Sequence, residues 1–193
     1  MTKCAGYKRK LPRQTTAEER IGLQLFWIFV CYSFLGFLLE VAFARVIRHP
    51  KKDRKCFFLL PLCPVYGMGA LMIRGLTLFG RNPLWVAAVG FLAATAAELL
   101  MGAFYRYGLG VEFWNYREVK WNFKGLVCLP FSLCWTVLAL GMVYWLDPLV
   151  GALAAAVPGW LDVPMLCLLA ADGAVSAIAL KRAGTTDVLR WYA

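Results

Sequence analysis

Long apolar runs alternate with short polar stretches rich in arginine and lysine along the whole chain. A helix needs about 20 mostly apolar residues to cross about 30 Å of hydrocarbon. Five runs meet that need: 21–46, 56–80, 84–107, 126–146 and 160–180. The second is broken early by Pro61 and Pro64, since proline removes the N–H that a helix interior requires. Residues 148–157 are apolar but too short to span. They predict a short interfacial or re-entrant segment, or a sixth span if their neighbours join them. The expected fold is all-α, a polytopic membrane helix bundle of about five transmembrane helices. Its parts are a basic N-terminal tail (1–20), a transmembrane domain (21–182) and a short C-terminal tail (183–193). Thr16, ahead of Ala17-Glu18-Glu19, is a candidate helix cap. The tail and first run do not read as a cleaved signal, because the run is too long and no small-residue site closes it.

Composition agrees with the pattern. Of 193 residues, 61% are hydrophobic and 17% charged, against about 45–50% and 25% in a soluble domain. A small globule could not cover that apolar excess, so the implied solvent is lipid. The net charge of +10 does not point to nucleic acid. The basic residues lie between the apolar runs, which is the placement of topology signals and anionic-lipid contacts. With five spans, the 45–55 and 106–125 loops and the C-terminal tail share one side and hold thirteen basic residues, against eight on the other. The positive-inside rule then leans to a cytoplasmic C-terminus, although the basic N-terminal tail opposes it.

The seven cysteines show no CxxC spacing, and His49 is the only histidine. That argues against a zinc site, and no cofactor or metal is expected. The odd count and the intramembrane placement argue against a disulfide framework.

Ionisable groups in a bilayer are costly and usually face a bundle interior or wet cavity. Glu40, Arg74, Glu98 and Asp172 qualify. Glu40, Glu98, Cys63 and Tyr66 fall near the same leaflet as the opening turns of the fourth run, which carry Cys128, Ser132 and Trp135. The aromatic and polar loop with Trp114, Asn115, Tyr116 and Asn122 caps them. Converging polar groups beside a broken helix form substrate sites in membrane proteins. Each has a plainer reading: Glu40 can pair with Arg45 or Arg48, Glu98 can be interhelical glue, and the loop aromatics can be an interfacial belt. Arg74 and Asp172 share a depth, which predicts an intramembrane ion pair. Small residues from Ala87 to Gly102 place the third helix centrally.

Tyr32-Ser33-Phe34-Leu35-Gly36, closing on Glu40, resembles the Tyr-Ser-Phe-x-Gly-Trp-x-x-Glu opening of the putative ABC-transporter type IV (CmpB-like) family. Cys63-Pro64-Val65-Tyr66-Gly67 is similar to its Cys-Pro-x-Tyr-Gly block, and Glu98 with Gly102 to its Glu-x-x-x-Gly helix. Trp114-Asn115-Tyr116, Asn122, Gly125, Cys128, Ser132, Trp135 and Asp172 continue the match, over roughly 25–182. Asn115 stands where the family has Asp, Arg117 for Ser, Lys124 for Asn, Leu126 for Arg and Thr136 for Gly. Cys56 and Leu60 stand where it has glycines. The resemblance implies a permease-like component in the cell membrane.

Three functions are weighed. In the first, a transport component moves or binds a small solute or ion at Glu40, Cys63, Tyr66, Glu98, Trp114, Asn115, Tyr116, Asn122, Ser132 and Trp135. No GxxxxGK[ST] loop is present, so ATP would be hydrolysed by a separate ATPase subunit. The small number of spans favours a homo-oligomer. In the second, a membrane-embedded enzyme acts on a lipid or isoprenoid with the two glutamates as acid and base. In the third, the chain is a non-catalytic partner or sensor subunit.

Overall fold

The computed structural model describes residues 17–47 and 55–190. The Thr16 cap and most of the basic tail and of the 45–55 loop lie outside the described residues. The regular secondary structure of the described residues is helical apart from one two-stranded antiparallel ribbon. Helix α1 is Ala17–Val46 and α2 is Pro64–Leu76. Helix α3, Pro83–Ala103, runs on through a π-helical turn, Phe104–Leu109. Strands β1 (Asn122–Phe123) and β2 (Val127–Cys128) precede α4, Leu129–Gly141. A second π-helical stretch, Met142–Leu146, leads from α4 directly into α5, Asp147–Ala156. The single turn Gly159–Leu161 opens α6, Asp162–Ala183.

Four helical stretches are long and apolar enough to cross a bilayer: Glu18–Val46, Pro83–Leu109, Leu129–Ala156 and Gly159–Ala183. Large apolar side chains such as Leu92, Val137, Trp145 and Val163 are exposed on them, as lipid-facing residues must be. This is a multi-pass membrane protein.

Two expectations about the spans are corrected. The 56–80 run is not one transmembrane helix. Its helical part is α2 alone, whose 13 residues rise only about 20 Å. Pro64 occupies the first turn of α2, where its missing N–H costs nothing, so it starts the helix and does not interrupt one. Residues ahead of it fold irregularly and need partners for their backbone. The Cys63 N–H donates to the Ser33 carbonyl at 2.9 Å, and the Cys56 N–H to the Leu62 carbonyl at 3.1 Å. The Phe58 N–H donates to Ser176 Oγ at 2.7 Å. Residues 148–157 are likewise no separate interfacial or re-entrant piece. They prolong the α4 helix, because Pro148 sits in the first turn of α5 behind a π-helical register shift that absorbs the clash a proline brings. The irregular membrane segment is 55–63.

The core sits where α2 and α3 pack between α1 and α4. Ile28, Ile73, Val86, Val89, Ala93, Ala94, Ala139 and Met142 fill it. The small residues of α3 allow close approach. A Cβ on Gly90 would stand 2.4 Å from the Ala139 methyl of α4, so this crossing needs glycine. A second cluster ties the far ends together with Cys56, Cys63, Val65, Met101, Tyr105, Val111, Leu180 and Leu189.

Candidate functional site

Glu40 lies late in α1, and Tyr66 in the first turn of α2. The Tyr66 hydroxyl donates to Glu40 Oε1 at 2.8 Å. Gly36, one turn before Glu40, makes room for that ring: a Cβ there would fall 2.2 Å from it. Glu98 is 3% exposed on α3. Its Oε1 accepts the Tyr116 hydroxyl at 2.8 Å and its Oε2 the Trp135 Nε1–H at 3.1 Å. The two carboxylates are linked through aromatics, because the Tyr66 and Trp135 rings meet edge to face at 4.9 Å. Tyr116 stacks on Phe131 at 4.8 Å, and Phe131 meets Phe43 edge-on at 6.3 Å.

Tyr116 reaches Glu98 because the loop between α3 and α4 folds back over the bundle. The Trp114 Nε1–H donates to the Leu126 carbonyl at 2.8 Å, and its ring packs where a Cβ of Gly102 would be. The Asn115 side-chain amide donates to Glu112 Oε2 at 2.7 Å, while its Oδ1 accepts the Arg117 N–H at 3.0 Å. Asn122 donates to the Val119 carbonyl at 2.8 Å and accepts the Gly125 N–H at 2.9 Å. Gly125, at φ +70°, supplies the left-handed turn between the strands. Glu112 also pairs with Arg106 at 2.6 Å and Arg117 at 3.3 Å.

These groups enclose a cavity of about 860 Å³, lined by Glu40, Cys63, Tyr66, Glu98, Trp114, Asn115, Tyr116 and Trp135 together with Lys55, Glu112, Phe131 and Arg190. Eight of the ten expected site residues thus share one chamber. Asn122 does not line it and shapes the loop. Ser132 does not line it either; its Oγ accepts the Thr95 hydroxyl at 2.8 Å on the α3–α4 seam. Phe43, Phe131 and Glu112 were missed because nothing in their local sequence separates them from ordinary lipid-facing or surface residues.

A second cavity, of about 420 Å³, adjoins the first and is lined mainly by apolar groups, among them Leu35, Leu38, Ala70, Ile73, Leu138 and Leu146. Tyr32 lies on its wall, 6% exposed, and its hydroxyl has no hydrogen-bond partner among the described residues.

The expected Arg74–Asp172 ion pair is replaced by two other arrangements. Arg74 pairs with Asp147, which Arg81 also approaches at 3.6 Å. Asp172 accepts the N–H groups of Leu59 and Leu60, at 3.0 and 2.7 Å from its two oxygens. The irregular 55–63 segment brings unpaired amides into the membrane, and a carboxylate on α6 answers them. Asp147 escaped notice because it falls at the end of an apolar run, where the Asp-Pro pair reads as a boundary. Nearby, the Trp27 Nε1–H donates to Asp162 Oδ1 at 2.7 Å.

Burial and then the Glu98 carboxylate push the Tyr116 hydroxyl well above the usual phenol range, so it remains a protonated donor. Burial raises the Cys128 thiol as well, which leaves it a poor nucleophile. The chamber can therefore hold a ligand that presents positive charge or hydrogen-bond donors to Glu98 and Glu40.

Comparisons with curated proteins and with solved structures gave no significant match. A family model described as putative ABC-transporter type IV matches residues 27–177. The stretch covers both glutamates, the irregular segment, the folded-back loop and Asp172, and on it the chain belongs to the putative ABC-transporter type IV family.

Proposed function

We infer that the chain is the membrane-embedded component of a transport system in the cell membrane, and that the Glu40–Glu98 chamber binds the small solute or ion it handles. One observation supports this above the others. Among the described residues Glu98 is a deeply buried carboxyl group answered by two neutral donors, Tyr116 and Trp135, in a cavity large enough for a ligand. A carboxylate kept only as packing glue would need no cavity beside it. Energy would come from a separate ATPase subunit docking at the loop end of the bundle, and a homo-oligomer would supply further spans. A lipid enzyme would have to use the same two carboxyl groups as acid and base.

Flux of candidate solutes into proteoliposomes should fall to background in Glu98→Gln while insertion and folding persist. Unchanged flux would remove Glu98 from the mechanism. Lys55, Glu112 and Arg190 line one chamber, which supports a return of the chain across the bundle through 55–63 and α2 together, so reporter fusions at residue 50 and at the C-terminus should report the same compartment. Opposite compartments would sink the shared-side arrangement of the loops.

A further inference from the structure

We propose that the ligand of the chamber is a cationic amphiphile, an alkylamine or alkylammonium, with its head among the Glu98 and Tyr116 groups and its tail in the apolar cavity between α1 and α4. This rests on the transport reading and names its substrate class. The two cavities are continuous in their walls: Leu39, Val65, Tyr66, Trp135 and Leu138 line both. Polar groups crowd the first cavity and thin out in the second. From Leu138 to Leu146 along the α4 wall, the groove runs about 12 Å. That shape suits a polar head joined to a slender apolar chain.

The head chemistry follows from the chamber. Glu40 and Glu98 bring two carboxyl groups to its wall, while the third, Glu112, is already paired with Arg106 and Arg117. The aromatic pairs Tyr66–Trp135 and Tyr116–Phe131 present π faces beside them. Carboxylates and aromatic faces attract an ammonium and repel an anion. Of the two basic residues on the wall, Arg190 has its charge matched by Asp187 at 3.2 Å, and Lys55 donates to the Phe58 carbonyl.

The tail's route is lateral. Helix α1 packs on α2 and α5, and α4 on α3, while no extended contact joins α1 to α4. Leu38, Leu39 and Leu138 stand at that gap, each at least 40% exposed. A tail can thus pass from the bilayer into the groove without entering water. Lipid chains are as apolar as leucine, so that transfer is nearly neutral and selection falls to the head.

The test uses the full chain in lipid nanodiscs, with radiolabelled dodecyltrimethylammonium and tetramethylammonium as probes and empty nanodiscs subtracted. Leu38 and Leu146 line the groove but not the chamber, and both are substantially exposed, so Leu38→Trp and Leu146→Trp test the tail from its two ends. Each should weaken dodecyltrimethylammonium at least tenfold and leave tetramethylammonium unchanged. Glu98→Gln should weaken both probes, and dodecyl phosphate should fail to compete. If neither tryptophan variant affects the long probe, the tail placement is wrong while the chamber stands. Equal competition by dodecyl phosphate overturns the cationic head. Full binding of both probes to Glu98→Gln would overturn the chamber itself.

Discussion

At one end of the bundle Asp147 is held by Arg74 and approached by Arg81, and on α6 Asp172 is held by the backbone amides of Leu59 and Leu60. At the other end Glu98 is held by a phenol and an indole, beside a cavity of about 860 Å³. All three are carboxylates within a membrane protein, and their partners differ in kind. Asp147 has its charge matched. Asp172 satisfies donors that would otherwise lie unpaired in hydrocarbon. Glu98 has its lone pairs partly satisfied and no cationic partner among the described residues. The first two arrangements hold the fold, and the third leaves a carboxyl group beside a cavity.

Four substitutions can break or sharpen this contrast. The largest effect on stability is expected for Arg74→Leu, which leaves Asp147 with only the longer Arg81 contact at 3.6 Å and should cost up to about 3 kcal/mol. The double variant Arg74→Leu/Asp147→Leu should recover most of the loss, as followed by circular dichroism during denaturation in mixed micelles. An equal loss in single and double variants would show that the pair itself is not the source. Next, Asp172→Ala should cost roughly 2 kcal/mol, since buried amides lose their acceptor. It should also open 55–63 to hydrogen exchange, and unchanged exchange there would refute the role given to Asp172.

Glu98→Gln should change stability by less than about 1 kcal/mol, because an amide oxygen can still accept a hydrogen bond. Solute binding should nonetheless fall at least tenfold, or about 1.4 kcal/mol. A variant that unfolds and binds in proportion would place Glu98 with the structural carboxylates. The smallest effect is expected for Tyr116→Phe, which removes one donor to Glu98 and keeps the stack on Phe131. It should cost about 1 kcal/mol of stability, read in the same denaturation assay, and a loss as large as that of Arg74→Leu would mean that the loop depends on this one bond.

Much of the site was legible because its members are polar residues in apolar surroundings. Glu40 and Glu98 stand out on that ground alone, whereas Pro64 reads from sequence as a break in a longer helix and only the structure makes it the start of α2. The loop residues Trp114, Asn115 and Tyr116 were recognisable as a unit, yet their separate tasks were not. Tyr116 enters the chamber, while Asn122, equally polar and a few residues on, spends its hydrogen bonds inside the loop. Loop geometry decides that difference. The Arg74 partner was misjudged for a related reason. Depth along a helix can be counted from sequence, but the neighbour at that depth depends on which helices touch, and α6 meets the irregular segment instead of α2.

The sequence alone determined the solvent of this protein, its helical class and the set of polar groups that must be answered inside the membrane, since hydrophobic length and the cost of buried charge are local properties. Tertiary structure decided the rest. It shortened the second run to α2, because Pro64 begins a helix and the residues before it borrow partners from α1 and α6. It merged 148–157 into the α4 rod through a π-helical shift that composition cannot reveal. It also paired Asp147 with Arg74 and left Glu98 facing a cavity, because partners are chosen by three-dimensional proximity, which no periodicity records.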